Sequence, residues 1–344
     1  MTTIKPEKIL KELADLWIET AVPSSDSGAG ESSGVLRACS MTMLVIADES
    51  EDPQGIGETL AQLMKEHPSR AIVIRLRKSP EPWLESRVFA QCWKPFGSRR
   101  HICCEQIEIT SSDSRLPDVP AVVLPLVVAD LPVILWCRSG RVTELEGFRE
   151  LEALAQKVIF DSASFPDQDQ VLGKLLSAGL PATRVADLAW GRLTRSRELL
   201  AQTVNSPDLL ESLSRVDELR VHARGPTPGI PARYFAAWLA NRLALAGSFP
   251  RIEWDLEEWN EHLSLKGVTL KGPDGFSLST EVKETVGNGA VVDIKVDGRV
   301  NRVVLLRPSE YELLLQELSI PGRDLIYEAA LRRSCVADSS LSEF

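Results

Sequence analysis

The sequence predicts an α/β N-terminal domain with a mixed, largely parallel sheet, followed by an α+β C-terminal domain with an antiparallel sheet. Three observations carry this. Residues 35–76 read strand, helix, strand, the pattern of two parallel strands joined by a right-handed crossover. Ala121–Ser139 (AVVLPLVVADLPVILWCRS) is the most apolar run in the chain and contains a β-branched segment suited to a strand covered on both faces. After residue 262, four alternating runs are separated by Gly and Asp turns, which reads as antiparallel pairing.

Residues 1–34 form a helix and a linker ahead of the first domain. Ile9, Leu10, Leu13, Leu16 and Trp17 recur at helical spacing over 4–18. That stripe packs on the body or docks in a partner's groove. Val22–Gly34 (VPSSDSGAGESSG) has no apolar pattern and reads as a flexible tether. The α/β domain spans 35–165. Its first strand covers 35–47 and ends at Asp48. A helix follows over Pro53–His67, stopped by Pro68, and a second strand over Ala71–Leu76. Arg87–Pro95 and Ile102–Thr110 alternate and form an edge hairpin through Phe96–Arg100.

The apolar run is long enough to raise a membrane span. However, Pro125 and Pro132 interrupt it and Asp130 would lie within the bilayer, and an interior proline costs a helix about 3 kcal/mol. It parses instead as a buried helix over Val119–Ala129, a turn at Asp130–Pro132 and a buried strand at Val133–Cys137. A helix over Phe148–Gln156 and a strand at Val158–Phe160 lead into Asp161 and Ser162.

The α+β domain spans 182–335. Thr194 suits the cap of a helix over Arg195–Gln202, with a helical preceding segment as the alternative, and Glu211–Val221 reads as the start of a strand. Pro231–Ala246 is an amphipathic helix with Gly247 at its C-cap. Strands follow at His262–Thr269, Phe276–Val282, Ala290–Val296 and Arg299–Leu305. Asp297-Gly298 makes the last hairpin turn. Helices at Glu310–Glu317 and Asp324–Arg333 close the domain, and 336–344 reads as a mobile tail.

Composition narrows the function. The chain has 344 residues, 44% hydrophobic and 26% charged, with a net charge of −10. An acidic chain lacks the basic field that nucleic acid or an anionic membrane requires. The N-terminus MTTIKPEKILKEL has no secretory pattern, so the expected compartment is the cytoplasm. Six cysteines in a chain this long make no disulfide scaffold, and small buried thiols are expected. Cys103 and Cys104 point to opposite faces of a strand and cannot share a tetrahedral metal ion, so no metal site is expected. After the first strand the sequence is ADESEDPQGIG, acidic where a phosphate cradle needs bare amides. No Ser–His–Asp or Cys–His pairing is suggested, no catalytic residue is assigned, and no cofactor is implied.

Three clusters are candidate sites. His67, Ser69 and Arg70 lie at a helix–strand junction, where a cation also suits the helix dipole. Asp161 and Ser162 follow a strand, at the edge where α/β sheets bind ligands, and also suit a turn or cap. Trp190, Arg192, Arg195 and Arg197 form the densest aromatic–arginine cluster, a composition favoured at interfaces and for carboxylate or phosphate. Trp238 and Arg242, four residues apart on a helix, read as core and salt bridge.

Several blocks together resemble one family. They are His67-Pro68-Ser69-Arg70 followed by AIVIRL, then CCEQIEI, VPAVVLPLVVADLPVILWCR, KVIFDSAS, DLAWGRLTRSRELLAQ and YFAAWLANRL. Their content and order resemble the glucose-6-phosphate dehydrogenase assembly protein family (OpcA), from about Arg37 to Arg333. The resemblance implies a non-enzymatic accessory protein, an assembly factor or allosteric activator of glucose-6-phosphate dehydrogenase in the oxidative pentose phosphate pathway. The chain departs from the family pattern at Cys137 and Ser196, where Trp is frequent, and the resemblance gives no cysteine here a redox role. The alternative is a regulator sensing a sugar phosphate or nucleotide in a cleft between the domains.

Overall fold

Strand β2 (Met41–Asp48) is buried at seven of its eight positions, as its apolar run Met43–Ala47 demands. It pairs in parallel with β3 (Ser69–Arg77) on one side and β6 (Val133–Cys137) on the other. This computed structural model describes residues 4–21, 35–93, 101–165, 173, 184–259 and 263–341. The expected linker Val22–Gly34 and hairpin loop Phe96–Arg100 lie outside the described residues. The chain divides into two compact units. The first is built on residues up to Phe160, with Arg184 and Val185, and the second on Asp161 onward.

The first sheet has eight strands. With β1 (Val35–Arg37), β4 (Leu84–Trp93), β5 (His101–Ser112), β7 (Lys157–Phe160) and β8 (Arg184–Asp187), its order is β1-β5-β3-β2-β6-β7-β8, and β4 pairs with β5. All the registered pairs of this sheet are parallel except β4 with β5. The single strand expected over 35–47 is two. β1 pairs with β5, whereas β2 pairs with β3, so the chain steps across two strands, β5 and β3, between them. The Ala38 N–H donates to the Cys103 carbonyl and the Ser40 N–H to that of Pro68, which pins the step.

Helix α1 (Pro6–Ala21) lays Ile9 and Leu13 onto this unit and packs against β4, so the packed reading of that helix is the observed one. Helix α2 (Pro53–Glu66) starts where the Asp52 carboxylate accepts the Gln54 and Gly55 amides, with Pro53 in the first turn. It ends on His67, whose N–H donates to the Leu63 carbonyl.

The apolar run is core, but its helix is shorter than expected. Helix α3 covers only Val119–Val123, and Leu124–Leu126 tightens into a 3₁₀ turn. Pro125 lacks an N–H and crowds the preceding turn, so the α-helix cannot continue. Asp130 takes φ 63° at the following turn, and β6 begins at Val133 as expected. The helix after it, α4, spans Phe148–Leu154. Cys92 and Cys103 face each other across β4 and β5 and are joined as a disulfide, which corrects the expectation of buried thiols for that pair. Cys104 and Cys137 are buried thiols, and burial pushes the Cys104 pKa up to about 11.

The second unit carries a six-stranded sheet ordered β10-β9-β11-β12-β13-β14. These are β9 (Glu218–Arg224), β10 (Arg251–Glu257), β11 (Leu265–Lys271), β12 (Ser277–Val286), β13 (Gly289–Val296) and β14 (Arg299–Leu306). Four of its five pairings are antiparallel. The exception is β10 with β9, because helix α8 (Ile230–Leu245) makes the crossover that a parallel pair requires.

Three other expectations change in this unit. The segment read as a strand start opens with helix α7 (Pro207–Leu213), capped by Ser206. Helix α8 has no single apolar stripe: eleven of its sixteen residues are buried, Trp238 among them, while Arg242 is exposed. The last helix runs on from Leu325 to Leu341, past Arg333 and into the segment read as a tail. Gly247 at φ 90° follows α8, and Asp297-Gly298 at φ 46° and 83° makes the β13–β14 turn.

One buried ion pair anchors α1 and β3. Glu105 on β5 is buried and accepts from Arg70 Nε at 2.5 Å, Arg37 Nη2 at 2.7 Å and Trp17 Nε1 at 2.6 Å. Arg70 also donates to the Leu126 carbonyl at 2.6 Å. Glu105→Ala should destabilise the protein by about 3–5 kcal/mol, because it strands the buried Arg70 guanidinium. Urea unfolding followed by tryptophan fluorescence, with Trp17 as a local reporter, measures this; a loss below about 1 kcal/mol would refute it.

Candidate functional site

Two regions could carry chemistry. One is the C-terminal edge of the parallel strands in the first unit, where α/β sheets place ligands. There Asp48 ends β2 and accepts from Ser139 Oγ at 3.1 Å and Arg141 Nε at 2.6 Å. Arg141 also pairs with Asp113, and its carboxylate partners raise its pKa against the opposing effect of burial. Arg138 Nε reaches Glu51 at 2.7 Å, and Arg75 Nη2 donates to the carbonyls of Glu49 and Glu51 at 2.8 and 2.7 Å. The α2 amides that would hold a phosphate are filled by the Asp52 carboxylate. A dinucleotide pyrophosphate would thus meet Asp48, Glu49, Glu51 and Asp52, and the arginines beside them are already paired.

The second region is built around Asp187 in the second unit. Asp187 is fully buried and caps helix α5 (Leu188–Gly191). Its Oδ1 accepts from the Ala189 N–H at 2.9 Å and the Ser162 N–H at 3.1 Å, and its Oδ2 from the Tyr234 hydroxyl at 2.8 Å. Burial pushes its pKa up to about 6 in spite of those hydrogen bonds, and the neighbouring Asp161 adds to the rise. Asp161 itself is held by a two-pronged bond from Arg192, 2.6 Å at each oxygen.

Trp190 on α5 is buried against Tyr234 and Tyr327, with ring centroids 6.1 and 5.8 Å away. Its indole N–H donates to Asp324 at 3.0 Å, and the Arg197 guanidinium stacks on its ring at 3.3 Å. Arg197 lies on α6 (Thr194–Thr203) and donates to Thr194 Oγ1 at 2.9 Å. Burial lowers its pKa to about 10. Thr194 therefore binds side chains here, and the helix cap is Leu193, with no side-chain bond.

The structure brings Asp161, Ser162, Trp190, Arg192 and Arg197 together. Arg195, on the same helix as Arg197, is exposed. His67, Ser69 and Arg70 stand apart in the first unit. Ser69 and Arg70 are buried, and Arg70 is committed to Glu105, so this junction presents little surface. Sequence reading missed Asp187, Tyr234, Tyr327 and Asp324. For Asp187 a signal existed, since Asp before Leu-Ala-Trp is an N-cap pattern. The other three join only through the packing of helices.

One more array appears on the second sheet. His222 Nδ1 lies 2.8 Å from Asp255, and its Nε2 lies 3.2 Å from Thr269 Oγ1. The order resembles a nucleophile, base and orienting acid. Thr269 sits on the central strand β11, flanked by β9 and β12, so nearby amides are tied into ladders and offer no oxyanion donors. The array orders a sheet face and lacks the parts for acyl transfer.

Comparison with known proteins decides the family. Residues 61–177 match the family described as glucose-6-phosphate dehydrogenase subunit N-terminal domain, and residues 183–331 match the corresponding C-terminal domain. The chain belongs to the OpcA family. A curated relative, the putative OxPP cycle protein OpcA of Nostoc punctiforme, is 30% identical over 181 residues, which is 52% of this chain and 38% of that protein. The Synechocystis protein of the same description is 25% identical over 198 residues, 55% of this chain and 39% of its own length. The match thus spans about two-fifths of each of these OpcA relatives. Among solved structures, the 3-ketoreductase KijD10 of Actinomadura kijaniata with NADP superposes at a TM-score of 0.46 and 11% identity, over 87% of this chain and 96% of that one. A probable oxidoreductase, yhhX, gives 0.43 at 11% identity, over 88% and 97%. Those scores carry nothing about activity in this OpcA-family chain.

The raised pKa of Asp187 predicts a pH effect. Its folded value of about 6 lies above the unfolded value of about 3.9, so its contribution is full below about pH 4 and is lost as pH rises to about 6. Asp187→Asn keeps an Oδ1 acceptor for both amides. Between those pH values the wild-type chain should lose about 3 kcal/mol relative to Asp187→Asn, read from paired urea unfolding curves. Parallel pH profiles would contradict the assignment.

Proposed function

We propose that this protein is an accessory factor that binds glucose-6-phosphate dehydrogenase and favours its active oligomer or active conformation, with no chemistry of its own. The observation that carries the reading is family membership over both units, residues 61–177 and 183–331. The sheet edge supports it. Where a dehydrogenase of this topology would hold a dinucleotide, this chain has Asp48, Glu51 and Asp52 locked to arginines, a serine and backbone amides. In this reading the partner enzyme carries the NADP and the sugar phosphate, and both proteins act in the cytoplasm.

Activation follows from differential binding. The chain shifts its partner toward the active state by as much as it binds that state more tightly. The Asp187 cluster makes a rigid support from which Arg195 and the exposed edge of Arg192 reach outward. Trp190, Ser162 and Asp161 act by shaping that support. The alternative of a sugar-phosphate or nucleotide sensor requires free guanidinium forks, and Asp161 already closes that of Arg192. No helix among the described residues is long and apolar enough to cross a membrane.

Titrating purified glucose-6-phosphate dehydrogenase with the chain should raise its activity and shift its mass in light scattering. No change in either at saturating chain would sink the proposal. Arg195→Glu should weaken binding about tenfold, a loss of about 1.4 kcal/mol, with an unchanged melting temperature. Isothermal calorimetry measures the first quantity and thermal unfolding the second.

A further inference from the structure

The second sheet ends on β14, which pairs with β13 on one side and with nothing among the described residues on the other. Its register with β13 is unbroken from Gly289↔Leu306 to Val296↔Arg299. It has no bulge, and no proline before Pro308. A long, regular edge strand presents a free row of N–H and C=O groups and is a template for another strand.

Its side chains do not guard it. Val300, Val304 and Leu306 are 53%, 60% and 55% exposed, and Val286 on β12 is 52% exposed. By register, Val300, Val304 and Leu306 share one face with Arg302, opposite Lys295, Val291, Gly289 and Asp293 respectively. Two other edge strands differ: α1 packs against β4, and β10 carries Glu253 and Asp255, paired to Arg220 and His222 on β9.

Charge selects the occupant. Residues 299–307, β14 and the residue after it, carry Arg299, Arg302 and Arg307 and no carboxylate, and Arg302 is already bound to Asp293 at 2.6 and 3.0 Å. A second copy of β14 would bring only more arginine and no carboxylate. A strand that alternates apolar residues with Asp or Glu would meet Arg299 and Arg307 with opposite charge and cover the valines.

We propose that β14 is a docking edge that takes up such an acidic, apolar strand from the dehydrogenase, extending the sheet by one strand. This rests on the function proposed above. Main-chain hydrogen bonds supply the affinity, and Val300, Val304 and Leu306 supply the apolar contact. The chain leaving the edge runs to the cluster already described: helix α9 (Glu310–Leu318) begins just after β14, capped by Ser309, and packs against α5.

The test compares binding of glucose-6-phosphate dehydrogenase to the wild-type chain and to Val300→Lys/Val304→Lys, with Leu124→Lys as a control on an exposed residue of the first unit. The double variant should raise Kd at least tenfold, Arg299→Glu should raise it several-fold, and Leu124→Lys should leave it unchanged. Hydrogen exchange on the wild-type complex should show new protection at 299–306, a readout that does not depend on the variants folding. Wild-type affinity in a folded double variant, or no protection at 299–306, overturns the docking edge and leaves the accessory function standing. A wild-type chain that never binds the enzyme removes the functional reading itself, and the docking edge with it. A wild-type dimer that the double variant makes monomeric, seen by light scattering, would assign the edge to a second copy and overturn the proposal.

Discussion

The second unit is organised around one buried carboxylate. Asp187 is fully buried, so its carboxylate oxygens need hydrogen-bond donors. It finds them in the Ala189 and Ser162 amides and the Tyr234 hydroxyl. That single group therefore sets the start of α5, the position of the segment after β7 and the rotation of α8. Trp190, one turn along from the cap, is then fixed against Tyr234 and Tyr327, and Arg197 stacks on it. The aromatic–arginine cluster visible in the sequence is a consequence of this anchoring.

A second theme is how several guanidinium groups are matched within the chain. Arg70 lies on Glu105, Arg141 on Asp48 and Asp113, Arg192 on Asp161, and Arg302 on Asp293. Each guanidinium held this way has its fork committed to a carboxylate of the chain itself. The same pairing explains why the parallel sheet, whose topology alone suits a dinucleotide, offers no phosphate cradle at α2.

Much of the architecture was legible in the sequence, for a local reason. β2, α2, β3, β6 and the β13–β14 hairpin follow from apolar runs, a capping Asp, prolines and an Asp-Gly turn, all of which act within a few residues. Errors arose where a distant partner chose the outcome. The segment 35–47 broke because its two halves pair with different strands. β10 escaped notice because its carboxylates disguise an alternating strand whose pairing depends on α8. α8 looked one-sided until the sheet and the last helix covered it together. Cys92 and Cys103 are eleven residues apart, and only the register of β4 on β5 makes them neighbours.

The class of each unit, the core strands, the net negative charge and the family follow from the order of residues. These depend on periodicity, net charge and blocks of residues, which need no knowledge of long-range contact. Tertiary structure alone decided which polar groups are used up and which remain available. Arg70 and Arg195 are the same residue type, but one is buried on Glu105 and the other faces solvent. Electrostatic energy falls with distance and rises with burial, and neither quantity is written in the order of residues along a chain.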